Sequence, residues 1–109
     1  MQIKYNPQRI DGQLVYEFDG ETITATLNGQ TDTFDFSALP NGEAQVELIE
    51  TILPENHIRS AKRVAGELYV ELLRYVPARP QESDYETAAE YEAALEAWKR
   101  LWTDIEEVV

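Results

Sequence analysis

Residues 58–76 read IRSAKRVAGELYVELLRYV, and the fold of the chain depends on whether this stretch is a helix or a hairpin. A helix would place six apolar residues on one face, namely Ile58, Ala61, Ala65, Leu68, Leu72 and Val76. Gly66 argues against the helix, because a central glycine costs a helix about 1 kcal/mol but closes a turn readily. Leu68–Val76 is also dense in residues that favour strands. We therefore predict a hairpin with strands at 59–64 and 67–76 and a turn at Ala65-Gly66.

The first forty residues predict a meander of short antiparallel strands. In Glu21–Asn28 every second residue is a threonine and the residues between are apolar, which is typical of a strand with one dry face. Asp19-Gly20 and Asn28-Gly29 are dipeptides that close hairpins. The remaining predicted strands are Gln13–Asp19, Gln30–Ser37 and a short Ile3–Tyr5 that ends at Asn6-Pro7. Residues 1–76 are therefore predicted to form an antiparallel β-domain.

A proline-containing connector at 77–83 separates this β-domain from a predicted amphipathic helix at 84–109. Ser83 and Glu86 have the spacing of a capping box, which marks the start of a helix. The predicted fold class is thus α+β, with a small β-meander domain followed by a long C-terminal helix.

The helix carries an apolar stripe. Its members Tyr91, Leu95, Trp98, Trp102, Ile105 and Val109 are spaced 4, 3, 4, 3 and 4 residues apart, as in a heptad seam, and Leu101 widens it. The stripe could dock on the chain's own sheet, or it could bind a partner. Tryptophan is enriched among residues that dominate interface energies. The predicted partner-binding residues are Tyr91, Leu95, Trp98, Leu101, Trp102 and Ile105.

The net charge of −12 disfavours binding to nucleic acid or anionic membranes. The acidity is strongest in residues 81–109, which hold nine acids and two bases. Solubility explains this charge; an alternative is an acidic inhibitor that mimics DNA and binds a host nucleic-acid enzyme.

The sequence carries no recognisable catalytic, cofactor or metal motif. His57 is the only histidine and there is no cysteine, so a transition-metal site is not expected. The glycines are isolated, and no nucleotide-binding loop occurs. Carboxylate pairs such as Asp32 and Asp35 leave a glycan hydrolase as a remote alternative. We expect no catalytic residue, no cofactor and no metal.

Two phrases resemble a known group of proteins. FDFSALPNG (Phe34–Gly42), followed by GELYVELLRY (Gly66–Tyr75), is similar to small uncharacterised proteins encoded among the tail genes of tailed phages and prophages. The resemblance implies a non-enzymatic structural or accessory protein, associated with the tail, that contacts itself or another phage protein. It also implies a place in the host cytoplasm or the virion. The N-terminus lacks a signal peptide and no apolar run approaches the roughly 20 residues that span a bilayer, in keeping with that expectation.

Overall fold

Two β-sheets pack against each other around one hydrophobic core, and a single α-helix projects from them. The computed structural model describes residues 1–109. The elements in chain order are β1 (Gln2–Arg9), β2 (Leu14–Asp19), β3 (Thr22–Leu27), β4 (Gln30–Asp35), β5 (Gly42–Glu43), β6 (Ile58–Val64), β7 (Glu67–Val76), α1 (Ala88–Thr103) and β8 (Glu106–Val108). The larger sheet has the order β5-β6-β7-β1-β8, and the smaller one has the order β2-β3-β4. The predicted α+β class is confirmed.

The predicted meander is the smaller sheet. The β2–β3 and β3–β4 pairs are both antiparallel. The turn between β3 and β4 has Asn28 at φ 50° and Gly29 at φ 87°, the left-handed backbone that a two-residue hairpin turn requires. Ile23, Ala25 and Leu27 of β3 are buried while the threonines between them are half-exposed, so the strand has the dry face that its alternation predicts.

The predicted hairpin at 59–76 is confirmed, and the alternative helix is wrong. Strands β6 and β7 pair antiparallel on either side of Ala65-Gly66. Both turn residues have positive φ, 50° at Ala65 and 85° at Gly66. Leu68, Val70 and Leu72 are buried in the core, which they share with the inward residues of β3. Strand alternation and the turn glycine therefore outweigh the helical spacing.

The prediction that residues 1–76 form a purely antiparallel domain is wrong at one pairing. Strand β1 runs parallel to β7, with Gln2 opposite Tyr69 and Arg9 opposite Val76. β1 also continues through Asn6-Pro7, where the sequence predicts an end. On the edge of β1 that faces away from β7, the backbone N–H of Tyr5 donates a hydrogen bond of 2.7 Å to the Ile105 carbonyl. Two residues later the Pro7 nitrogen faces that same edge, beyond the last pairing with β8, so its missing N–H breaks no ladder bond.

The predicted helix at 84–109 is wrong at both ends. Glu82–Asp84 forms a short 3-10 turn, and α1 starts after Thr87, whose side chain accepts a hydrogen bond from the Glu90 N–H at 3.2 Å. The Ser83 capping box is therefore not used. α1 ends at Thr103, and residues 106–108 form β8, which pairs antiparallel with Gln2–Lys4. Residues 106–108 form a strand instead of the predicted helix because the edge of β1 that faces away from β7 would otherwise have no hydrogen-bond partners.

The molecule is elongated because α1 extends away from the sheets. The radius of gyration is 16.1 Å, whereas a compact chain of this length is expected to have about 13 Å. No residue of α1 is fully buried. Neither the length nor the apolar content of this helix is sufficient to cross a membrane.

Candidate protein-contact surface on helix α1

The C-terminal end of α1 is fixed to the β-domain by Arg74. Its Nη1 donates to the carbonyls of Leu101 at 3.0 Å and Asp104 at 2.7 Å. These carbonyls lie at the end of the helix, where a cation also interacts favourably with the helix dipole. The guanidinium carbon lies 3.9 Å from the centre of the Tyr5 ring, so the same side chain joins β7, β1 and α1.

Ile105 is not a member of the helix stripe, contrary to the sequence-based expectation. It lies after the end of α1, packs against the hydrophobic core, and accepts the Tyr5 N–H through its carbonyl. The Tyr5 hydroxyl donates to the Glu107 carboxylate at 2.7 Å. Burial and the neighbouring Glu107 raise the pKa of Tyr5, so the phenol keeps its proton. Ile105 is therefore an internal anchor.

One flank of α1 faces the proline connector. The indole N–H of Trp98 donates to the Pro77 carbonyl at 2.8 Å. Between the connector and the helix lies a groove of about 600 Å³, walled by Pro77–Gln81 on one side and by Ala94, Ala97, Trp98 and Leu101 on the other. Leu101 therefore lines the groove instead of the outer face. The connector covers this flank without making it part of the core.

The neighbouring face of α1 is an apolar stripe that is half-buried at Tyr91, Leu95 and Trp98 and exposed at Trp102. We call Tyr91, Leu95, Trp98 and Trp102 the helix seam. No member of the seam belongs to the hydrophobic core or packs against it. The Trp98 and Trp102 rings contact each other edge to face, with their centres 6.1 Å apart. The centres of the Tyr91 and Tyr85 rings are also 6.1 Å apart. Trp102 is 36% exposed, although tryptophan is on average highly buried in folded proteins.

Charged residues border the seam on its open side and occupy the back of the helix. At 100° per residue, Glu92 and Lys99 follow the open edge of the seam, next to Leu95 and Trp102. Glu96 and Arg100 lie on the opposite face, where they approach to 4.0 Å. The surface that α1 presents is thus a narrow, mainly aromatic strip with a charged margin on its open side, as in the anchor region of a protein interface.

His57, the one candidate for acid–base or metal chemistry, is fully buried. Its Nε2 lies 3.0 Å from the Tyr75 hydroxyl, which donates to Glu55 at 3.0 Å. Nε2 therefore carries the imidazole proton, and the buried Nδ1 has no partner. Burial lowers the pKa of His57. No cluster of three or more ligand residues surrounds it or occurs elsewhere. The turn-like stretch Pro54–His57 gave no signal of this burial.

The carboxylates that could suggest acid–base chemistry have local structural partners. Asp32 accepts hydrogen bonds from the Thr51 hydroxyl at 2.7 Å and the Ile52 N–H at 3.1 Å. Asp35 accepts one from the Ser37 N–H at 2.9 Å. These bonds hold the pKa of both carboxyls below the usual range. A glycosidase acid needs a raised pKa, so neither residue has that property.

No family model, curated protein or solved structure matches the chain. The phage resemblance in Phe34–Gly42 and Gly66–Tyr75 therefore stays a prediction. The most distinctive surface of the molecule is the helix seam, which holds both tryptophans outside the core.

Proposed function

We propose that this chain is a non-enzymatic accessory protein that acts through protein–protein contacts of α1. The observation that carries the proposal is the helix seam, which gathers both tryptophans of the chain yet lies outside the core. Helices in proteins gain most of their stability from packing an apolar face. A seam that lies outside the core of its own domain is suited to packing against another protein.

The way α1 is held supports this role. Arg74 fixes its C-terminal end and the Trp98–Pro77 hydrogen bond fixes its middle. Both contacts restrain the helix while Trp102 remains exposed. A contact surface that is ordered before binding loses less conformational entropy on association.

The charge distribution supports a protein partner over a nucleic acid. The Arg63 guanidinium donates two hydrogen bonds of 2.9 Å to the Glu21 carboxylate. Arg74 donates to the backbone carbonyls of Leu101 and Asp104 at the end of α1. These two arginines, of the nine basic residues in the chain, are therefore not available to bind phosphates, and the net charge of −12 opposes the approach of a nucleic acid. The resemblance to proteins encoded among phage tail genes favours an accessory role in tail assembly, in the host cytoplasm or in the virion.

Site-specific photo-cross-linking in the cell that makes the protein tests the proposal. A photoreactive residue at position 95 lies on the helix seam, and the same residue at position 96 lies on the back of α1. We expect a discrete cross-linked product from position 95 and none from position 96. Absence of a product from position 95, or equal products from both positions, would contradict the proposal.

A further inference from the structure

We infer that the partner of the helix seam is a second copy of this chain, packed with its α1 antiparallel to the first. The inference rests on the proposed function and names the partner. A protein with one apolar helix face outside its core can bury that face against the identical face of another copy, related to it by a two-fold axis.

The spacing of the seam is self-complementary in the antiparallel direction. Its intervals of 4, 3 and 4 residues read the same from either end of the helix. With the two-fold axis between Glu96 and Ala97, Tyr91 meets Trp102 of the second copy and Leu95 meets its Trp98. Each contact is then a layer of two large apolar side chains, as in the core of an antiparallel coiled coil. The two copies together bring six aromatic rings to four such layers.

The charges along the open edge of the seam are complementary in the same arrangement. Glu92 lies on the N-terminal side of the two-fold axis, and Lys99 lies on the C-terminal side. Antiparallel packing therefore sets Glu92 of each copy beside Lys99 of the other, so that two equivalent ion pairs flank the central layers. A parallel pair would bring identical residues to the same level and would form neither ion pair.

The attachment of α1 also favours the antiparallel direction. Arg74 and Ile105 hold the β-domain at the C-terminal end of a helix about 24 Å long. In an antiparallel pair the two β-domains lie at opposite ends of the paired helices. A parallel pair would place them side by side, where chains of net charge −12 repel each other more strongly.

Sedimentation equilibrium on the full chain and charge-exchange variants tests the inference. The full chain is expected to dimerise. Glu92→Lys and Lys99→Glu should each weaken dimerisation roughly tenfold, because each places two like-charged pairs across the interface. An equimolar mixture of the two variants should recover dimerisation, since its heterodimer contains only opposite-charge pairs.

The matched control is Glu96→Lys, which makes the same change in net charge on the back of α1 and should leave dimerisation unchanged or slightly stronger. The inference is overturned by a monomeric full chain, by equal weakening in Glu92→Lys and Glu96→Lys, or by failure of the mixture to recover. Circular dichroism shows whether each variant is folded. The equimolar mixture is then interpreted only for variants that are folded. If the chain is a monomer and position 95 cross-links to a different protein, the inference that the partner is a second copy is overturned, but the proposed function is not. If position 95 gives no cross-link at all, the proposed function is overturned as well.

Discussion

Arg74 donates a hydrogen bond to the carbonyl of Asp104 at 2.7 Å, joining the end of β7 to the residue that follows α1. The bond holds the helix by its C-terminal end through backbone atoms. The bond uses none of the side chains of the helix seam. This relationship explains how an aromatic stripe can lie outside the core of a chain of 109 residues while its helix stays in place.

Removal of Arg74 should loosen α1. We expect Arg74→Leu to lower the free energy of unfolding by about 1–3 kcal/mol, because two hydrogen bonds from a charged donor are lost. The connector should also become more sensitive to proteases. Urea denaturation and limited proteolysis measure the two effects. The control Arg79→Leu changes an exposed arginine of the connector and should alter stability much less; equal losses in both variants would contradict the anchoring role.

Ile105 and Leu95 should differ in their contribution to stability, although both belong to the predicted stripe. Ile105 packs against the core and Leu95 does not. At a concentration low enough for the chain to be monomeric, Ile105→Ala should lower the free energy of unfolding by about 1–3 kcal/mol and Leu95→Ala by less than about 1 kcal/mol. Denaturant unfolding of both variants makes the comparison, and a larger loss for Leu95→Ala would place the seam in the core.

Arg63 links the two sheets and should not tolerate lysine. Its guanidinium donates to both Glu21 oxygens and to the carbonyls of Leu39, Phe36 and Gly66. A lysine ammonium cannot reproduce this planar fork. Arg63→Lys should therefore lower the urea midpoint, while Arg59→Lys, at an exposed position of the same strand, should leave it nearly unchanged. Matching midpoints for the two variants would show that the fork adds no stability.

His57 should make the fold sensitive to mild acid. Burial lowers the pKa of its imidazole in the folded chain; Arg59 lowers it further, and Glu55 opposes the change. The unfolded chain therefore binds the proton more readily, and stability should fall as the pH drops below about 6.5. In His57→Gln this dependence between pH 7 and 5 should flatten. Unfolding at a series of pH values measures it; an unchanged slope in the variant would assign the effect to other groups.

Local signals in the sequence predicted the elements whose partners lie close by. Asn28-Gly29 and Ala65-Gly66 each join two strands that pair directly across the turn, so the turn residues and the alternation determined those hairpins. The seam spacing from Tyr91 to Trp102 likewise depends only on the helical period. The helix seam could be predicted from the sequence for that reason.

Features that depend on distant partners were not predictable in this way. The parallel pairing of Gln2 with Tyr69 leaves no local pattern in either strand. Glu106–Val108 is acidic and exposed, and it is a strand only because β1 offers an open edge. This pairing ends the helix and moves Ile105 from the stripe to the core. The burial of His57 likewise depends on Tyr75, which is 18 residues away.

The most direct test of the helix seam as a contact surface is the light-scattering mass of the full chain and of Trp102→Gln. We expect a mass of two copies for the full chain and of one copy for the variant, which should still unfold cooperatively. Trp102 is then an interface residue whose loss leaves the fold intact. A full chain with the mass of one copy, together with a variant that no longer folds, would contradict the account, because Trp102 would then be required for the chain's own core.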